Sequence, residues 1–185
     1  MRKCILITAA GILFNISSFA QSPGKDNLLW SETGKLTTDD FLIKSERHLN
    51  SLSAGQFSMS YQVNGFDFLT KNFNKKVRNY FIRSASWIDT TQNVQQSLVY
   101  QQTLFDLCEI YTRQFRKALR ENRKQLSRGT KIVEELNDKS MSDFARRRVD
   151  YDLETKSGTD KVKQKEWETL IDKELAALAD FAFDR

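Results

Sequence analysis

Side chains able to do chemistry are few in this chain of 185 residues. There is one histidine, His48, and there are two cysteines, Cys4 and Cys108. One imidazole excludes a histidine-rich metal site, and His48 is too remote in sequence from Cys108 to suggest a nucleophilic pair. Asp106 and Glu109 stand three apart on what reads as a helix, so they share a face. A weak calcium or magnesium site would need more oxygen ligands than these two supply. Arg113 is placed to pair with Glu109 at i,i+4, so both carboxylates are expected to be structural. Asp39 and Asp40 could also be metal carboxylates, but such pairs more often cap a turn or a helix start, and that role is expected here. Arg116, Lys117, Arg120, Arg123, Lys124 and Arg128 crowd the end of the same helix, where cations complement the dipole. They read as a solvated basic end, with an acidic partner as the second reading. Arg146, Arg147 and Arg148 are consecutive and would point in three directions on a helix, so one anion clamp built from all three is not expected.

The elements that must position these groups follow from periodicity. Leu28 to Trp30 opens a short strand. From Gln56 to Val63 apolar and polar residues alternate, which predicts a half-buried strand with Phe57, Met59, Tyr61 and Val63 on one face. Asn64 and Gly65 signal a turn, and Phe66 to Phe68 would begin the return strand. Residues 77–82 read as another strand, with 83–88 following it. The dense aromatics here (Phe66, Phe68, Phe73, Tyr80, Phe81 and Trp87) fit a sheet packed on helices better than a stacking surface for a ligand. Residues 89–91 offer a cap for a helix over 92–126, buried along Val94, Leu98, Phe105, Cys108, Phe115 and Leu119, with Gly129 as its natural end. Ile132, Val133 and Leu136 suggest a short helical link. Ser140 to Asp143 reads as a capping box before a further helix to about Lys156. Thr159 or Asp160 caps a last helix whose apolar stripe is Trp167, Leu170, Ile171, Leu175, Leu178 and Phe181. No internal repeat or low-complexity linker interrupts the chain. The expectation is one α+β domain over 28–185, a small antiparallel sheet packed on a long central helix and C-terminal helices.

Two stretches carry a resemblance. In 97–113, Leu98, Gln102, Phe105, Asp106, Glu109, Tyr111 and Arg113 match the pattern Leu-Leu-x-His-Glu-Gln-x-His-Phe-Asp-Ile-x-Glu-x-Tyr-x-Arg. In 151–167, Tyr151, Asp152, Thr155, Gly158, Gln164 and Trp167 match Tyr-Asp-x-x-Thr-x-His-Gly followed by Gln-x-x-Trp. Both patterns belong to the bacterial domain of unknown function 922 family, a zincin-like group of the peptidase MA type, which the chain resembles. A weaker likeness covers 30–41, where Thr38 stands in place of the family's second tryptophan. The resemblance implies a zincin-like domain in which His-Glu-x-x-His would supply two imidazoles one turn apart with a carboxylate base between them. Here those positions hold Tyr100, Gln101 and Leu104, and Ser157 replaces a third histidine. None of the four can ligate zinc and activate water as the motif does, so no catalytic residue, metal or cofactor is expected. The matched Phe105, Asp106, Glu109, Tyr111, Arg113, Tyr151, Asp152, Thr155, Gly158, Gln164 and Trp167 are expected to keep the scaffold.

Composition sets the remaining bounds. Arg2 and Lys3, the apolar run Cys4–Phe14 and the small residues around Ala20 form an export signal, with cleavage expected after Ala20. The run is too short for a permanent span, so no transmembrane segment is expected after cleavage; a retained signal anchor is the weaker alternative. A flexible leader over 21–27 would follow, in a periplasmic or secreted protein. Removing Arg2 and Lys3 lowers the net charge from +5 to about +3, too mild to suggest nucleic acid. Cys108 would then be the sole cysteine, a buried and inert thiol. Three functional classes stay open. One is an inactive zincin-like protein whose groove binds a peptide or an envelope protein. The second is a structural or accessory module whose groove is packed shut. The third is a hydrolase or peptidase using other residues. An open cleft over Tyr100 and Gln101 would favour the first, and a filled one the second.

Overall fold

A computed structural model describes residues 25–45, 52–63, 70, 72–126, 129 and 131–185. Expectations for the export segment, for His48 and for the 64–68 turn and return strand lie outside these residues. Strand β4, Val77–Asp89, forms the axis of a four-stranded sheet. Strands β1 (Asn27–Leu29) and β3 (Ser53–Tyr61) pair with it antiparallel, whereas β2 (Ile43–Ser45) runs parallel to its end, Ile43 opposite Trp87. The sheet is therefore mixed, not purely antiparallel. Thirteen residues of β4 continue unbroken where two segments read separately in the sequence, because β1 and β3 cover its first half and β2 and β3 its second. A register shift in β3 between Ala54 and Gln56 is bridged by Ser86, whose hydroxyl accepts the Gln56 amide at 3.0 Å. Phe57, Met59 and Tyr61 do fall on one face, and Phe57 is buried against Phe81 and Phe105.

Helix α1 (Val94–Glu121) lies against this sheet and against the later helices α3 (Lys131–Thr155) and α4 (Lys161–Ala177). It is shorter than its apolar pattern suggested. It starts at Asn93, in the left-handed conformation that asparagine tolerates, and breaks at Asn122 before the short α2 (Arg123–Leu126). Asp89 does hold the turn before it, accepting the Thr91 amide at 2.7 Å. From Tyr100 to Arg113 every residue is buried, so α1 has no solvent face there and a single apolar stripe understates its burial. The main core gathers Trp30, Leu36, Phe41, Phe57, Phe81, Leu104, Phe105, Ile110, Tyr151 and Trp167 around that segment. A second cluster (Val63, Phe73, Val77, Phe115, Leu119, Leu126 and Val133) closes the far end.

Several local expectations are overturned. Helix α3 is continuous, and Ser140 lies buried inside it. The capping-box residues are not a helix start because the preceding turn already satisfies their amides; Asp143 instead pairs with Lys139 and Arg146 along the exposed face. Leu170 is exposed, pointing away from the core that Trp167 and Ile171 enter. Asp26 and Asn27 are not leader but sheet edge: the Asp26 carboxylate accepts the Ser84 amide at 2.7 Å and its hydroxyl at 2.8 Å. The expected caps hold elsewhere. Asp40 closes a capping box with Thr37 over the single turn Thr38–Asp40, and Asp160 accepts the Lys163 amide at the start of α4.

Candidate functional site

The four positions that depart from the family pattern occupy one packed region. Tyr100 on α1 stacks on Tyr151 of α3, ring centroids 5.3 Å apart and planes inclined by 14°. Its hydroxyl donates to Asp152, and the Ser157 side chain lies beside it. Burial and the neighbouring Asp152 push the Tyr100 phenol above its ordinary range, so it stays protonated. Gly158 seals the contact: with φ +83°, a Cβ there would stand 2.8 Å from the Tyr100 Cβ. Lys156 and Ser157 share that left-handed turn, with φ of 52° and 55°. Thr155 ties it to α3, accepting the Gly158 amide at 3.1 Å and donating to the Tyr151 carbonyl at 2.7 Å. Leu104 is wholly buried in the main core. Gln101, over which the sequence left the cleft open or filled, is 1% exposed. Its amide donates to the Ser53 hydroxyl at 3.0 Å, and its carbonyl presses on Gly55, where a Cβ would lie 2.5 Å away.

A polar relay continues from this cluster into α4. Tyr151 donates to Gln164 Oε1 at 2.6 Å, and Gln164 Nε2 donates to Thr103 Oγ1 at 2.9 Å and Glu168 at 3.1 Å. Trp167 meets Tyr151 edge-on at 5.3 Å and donates to Glu154 at 2.9 Å. The two sequence stretches that carry the resemblance are thus in direct contact, although Tyr100 and Tyr151 are distant in the chain.

Of the carboxylates in 97–113, Glu109 sits in an internal ion-pair network. Glu109 is 1% exposed and accepts from Arg113 at 3.2 Å and Arg116 at 2.8 Å. Arg116 was expected in the solvated basic end; it is itself 1% exposed. Its guanidinium donates to the Val77 and Phe181 carbonyls, and Arg113 donates to the Leu175 carbonyl at 2.7 Å. The start of β4 before α1, the last turn of α4 and the segment after it bring those carbonyls to the two guanidinium groups, a tertiary fact that helix periodicity does not contain. Burial lowers the Arg116 pKa, opposed by Glu109. Lys117, Arg123 and Lys124 do lie on the surface. Arg146, Arg147 and Arg148 diverge as expected: to Asp143, to Glu174 at 2.5 Å, and over the Phe57 ring at 5.9 Å. Tyr111 packs against Phe144, and Cys108 is fully buried, its thiol pushed up by that burial. Among the described residues no three His, Cys, Asp or Glu side chains gather as a metal would require.

An open cavity lies elsewhere, on the side of α1 that presents Leu98, Gln102 and Asp106. It has a volume of about 590 Å³ and runs between residues 35–38 and α4, with Val99, Thr103, Ile171 and Asp172 among its lining. Gln102 accepts the Leu36 amide at 2.8 Å and donates to Asp106 Oδ1 at 2.8 Å; Trp30 Nε1 donates to the same oxygen at 2.7 Å. Burial raises the Asp106 pKa, an effect that Lys35, Trp30 and Gln102 oppose. This cavity was not anticipated. The available signal was Leu98, Gln102 and Asp106 at i, i+4 and i+8, one apolar and two polar groups stacked on one face of the helix.

Among the described residues, no helix is long and apolar enough to cross a membrane. Comparison with family models, with curated proteins and with solved structures returns no match to this chain.

Proposed function

We propose that this is an exported, catalytically inactive zincin-like protein, a pseudo-metalloprotease that serves the cell envelope as a binding or accessory module for a peptide or protein partner. One observation carries the reading: Tyr100 and Ser157, two positions where the resemblance expects ligand histidines, meet in space and are packed together under Tyr151 and Gly158. Leu104 fills a third position from within the core, and Gln101 is held by Ser53 where a general base would stand. That arrangement keeps the proximity a zinc site would use while filling it with groups that cannot bind zinc. It favours the closed-groove class over a groove open above Tyr100, and leaves binding to the cavity on the other side of α1. A hydrolase built from other residues gains no comparable support. Cys108 is enclosed, and the Ser53 hydroxyl accepts from the Gln101 amide.

The test is restoration. Tyr100→His, Leu104→His, Ser157→His and Gln101→Glu combined should raise zinc affinity above wild type in competition with a chromophoric chelator, with circular dichroism confirming the fold. Wild type should neither retain zinc through dialysis nor cleave an unstructured protein substrate. Zinc-dependent cleavage by wild type, or a folded quadruple variant with no gain in affinity, overturns the reading. Recovery of the native protein from an envelope or culture fraction with Gln21 as its first residue tests export.

A further inference from the structure

The cavity beside Asp106 has a chemistry of its own. Its walls are largely apolar, formed by Leu36, Leu98, Val99 and Ile171, and its volume suits a small ligand or a few side chains of a peptide. Its charge is lopsided: Asp106, Glu168 and Asp172 face it against Lys35. Glu168 is engaged, accepting from Lys165 and Gln164. Asp106 is half engaged. It is 8% exposed and both of its hydrogen bonds fall on Oδ1; Oδ2 has only Lys35 Nζ at 3.9 Å, beyond hydrogen-bond range. Asp172 forms no hydrogen bond or ion pair with another described residue, and its charge adds to the cost of ionising Asp106. Lys35 is a loose counterion, its side chain 62% exposed. The same three residues, Lys35, Asp106 and Asp172, also border an adjoining cavity of about 360 Å³ that extends past Trp30 and Leu175. The two carboxylates thus lie on a wall common to both spaces of this groove, the second of which is also bordered by Glu32, Arg113 and Arg185.

We propose that this groove binds a peptide segment through a lysine or arginine side chain, the apolar stem lying along Leu98, Val99 and Ile171 and the cation replacing Lys35 between Asp106 and Asp172. A carboxylate oxygen that opens into a groove with no protein donor in hydrogen-bond range is satisfied best by a charged N–H, and a long basic side chain alone combines that head with an apolar stem. The proposal names the ligand of the binding module described above but does not depend on a zincin ancestry.

Calorimetric titration of the mature protein at low salt would use acetyl-Leu-Lys-Leu-amide against the same peptide with norleucine or glutamate at the centre. The lysine peptide should bind at least about tenfold more tightly than either. Asp106→Asn keeps the Oδ1 acceptor for Trp30 and Gln102, and Asp172→Asn changes an exposed residue, so both should fold; each should weaken the lysine peptide about tenfold and leave the norleucine peptide unchanged. Lys35→Ala removes the competing cation and should tighten binding, whereas an anion site would lose affinity. Val99→Trp should fill the groove and abolish binding. Equal affinity for the three peptides, or weaker binding by Lys35→Ala, overturns the proposal. Absence of lysine-peptide binding by folded wild type also overturns it and leaves the inactive-scaffold reading standing. Mass spectrometry of the recovered peptide separates the two readings in the other direction: cleavage with Asp106-dependent binding upholds the groove and sinks the claim of inactivity.

Discussion

Two sides of α1, less than one turn apart in sequence, are finished in opposite ways. On the Tyr100 side, ring packs on ring and the turn after α3 closes over them, with Gly158 allowing backbone to touch the Tyr100 side chain. On the Gln102 and Asp106 side, the neighbouring segment is held by hydrogen bonds reaching outward, from the Leu36 amide and the Trp30 indole. Hydrogen bonds fix that segment at a distance without filling the volume behind it, and a cavity remains. Aromatic packing shuts a space because dispersion rewards contact at every atom; a polar bridge satisfies its two ends and is indifferent to the gap beside them.

That contrast predicts a graded set of responses. The largest should come from Phe105→Ala, which empties a site 2% exposed between Phe57 and Phe81. A loss of about 3–5 kcal/mol is expected by chemical denaturation. A loss below ~1 kcal/mol would mean that the packed side is not the stabilising one. Gly158→Ala should come next, at roughly 1–3 kcal/mol, because the added methyl meets Tyr100 in a left-handed turn. The double variant Gly158→Ala with Tyr100→Ala should recover part of that loss. Tyr151→Phe should cost about 1–2 kcal/mol, since it leaves the buried Gln164 carbonyl without its donor. Thermal melts resolve either effect.

Asp106→Asn should show the smallest effect, with a pH signature. Asp106's folded-state pKa is raised by burial, so its protonated form is favoured by folding. The sign follows: the stability it lends is fully present below the unfolded value of ~4 and is lost as pH rises through the raised folded value. Asparagine keeps the Oδ1 contacts without that loss. The difference in midpoint between variant and wild type should therefore move in the variant's favour from pH 3 to pH 7. No trend, or the opposite one, would show that Lys35 compensates the carboxylate fully and that the open side is not electrostatically unsatisfied.

Gln101 shows where helix reasoning stops. Its neighbours Tyr100 and Leu104 could be placed on one face by spacing, but the sequence has no statement about what approaches that face. Ser53 and Gly55 come to it from β3, and they decide between the open and the filled cleft by enclosing its amide. Arg116 is the same lesson with charge. A run of cations at a helix end reads as solvated, yet Glu109 two turns earlier and the carbonyls of Val77 and Phe181 make one of them interior. Residues whose fate depends on i±3 and i±4 neighbours were legible, as in the Glu109–Arg113 pair, the Asp160 cap and the divergence of the three consecutive arginines.

By itself the sequence determined the class of the domain, an α+β unit with a long helix between a small sheet and later helices, because periods of 2 and 3.6 are local properties of the chain. It also showed that Tyr100, Gln101, Leu104 and Ser157 lack the imidazole and carboxylate groups of a His-Glu-x-x-His pattern, since that follows from side-chain identity. Only the tertiary structure decided that β2 joins the sheet in parallel, that Ser157 reaches Tyr100, and that the open space lies over Asp106 and not over Gln101. Those outcomes depend on which distant segments meet, and a meeting is settled by the summed packing of whole surfaces, which no local spacing encodes.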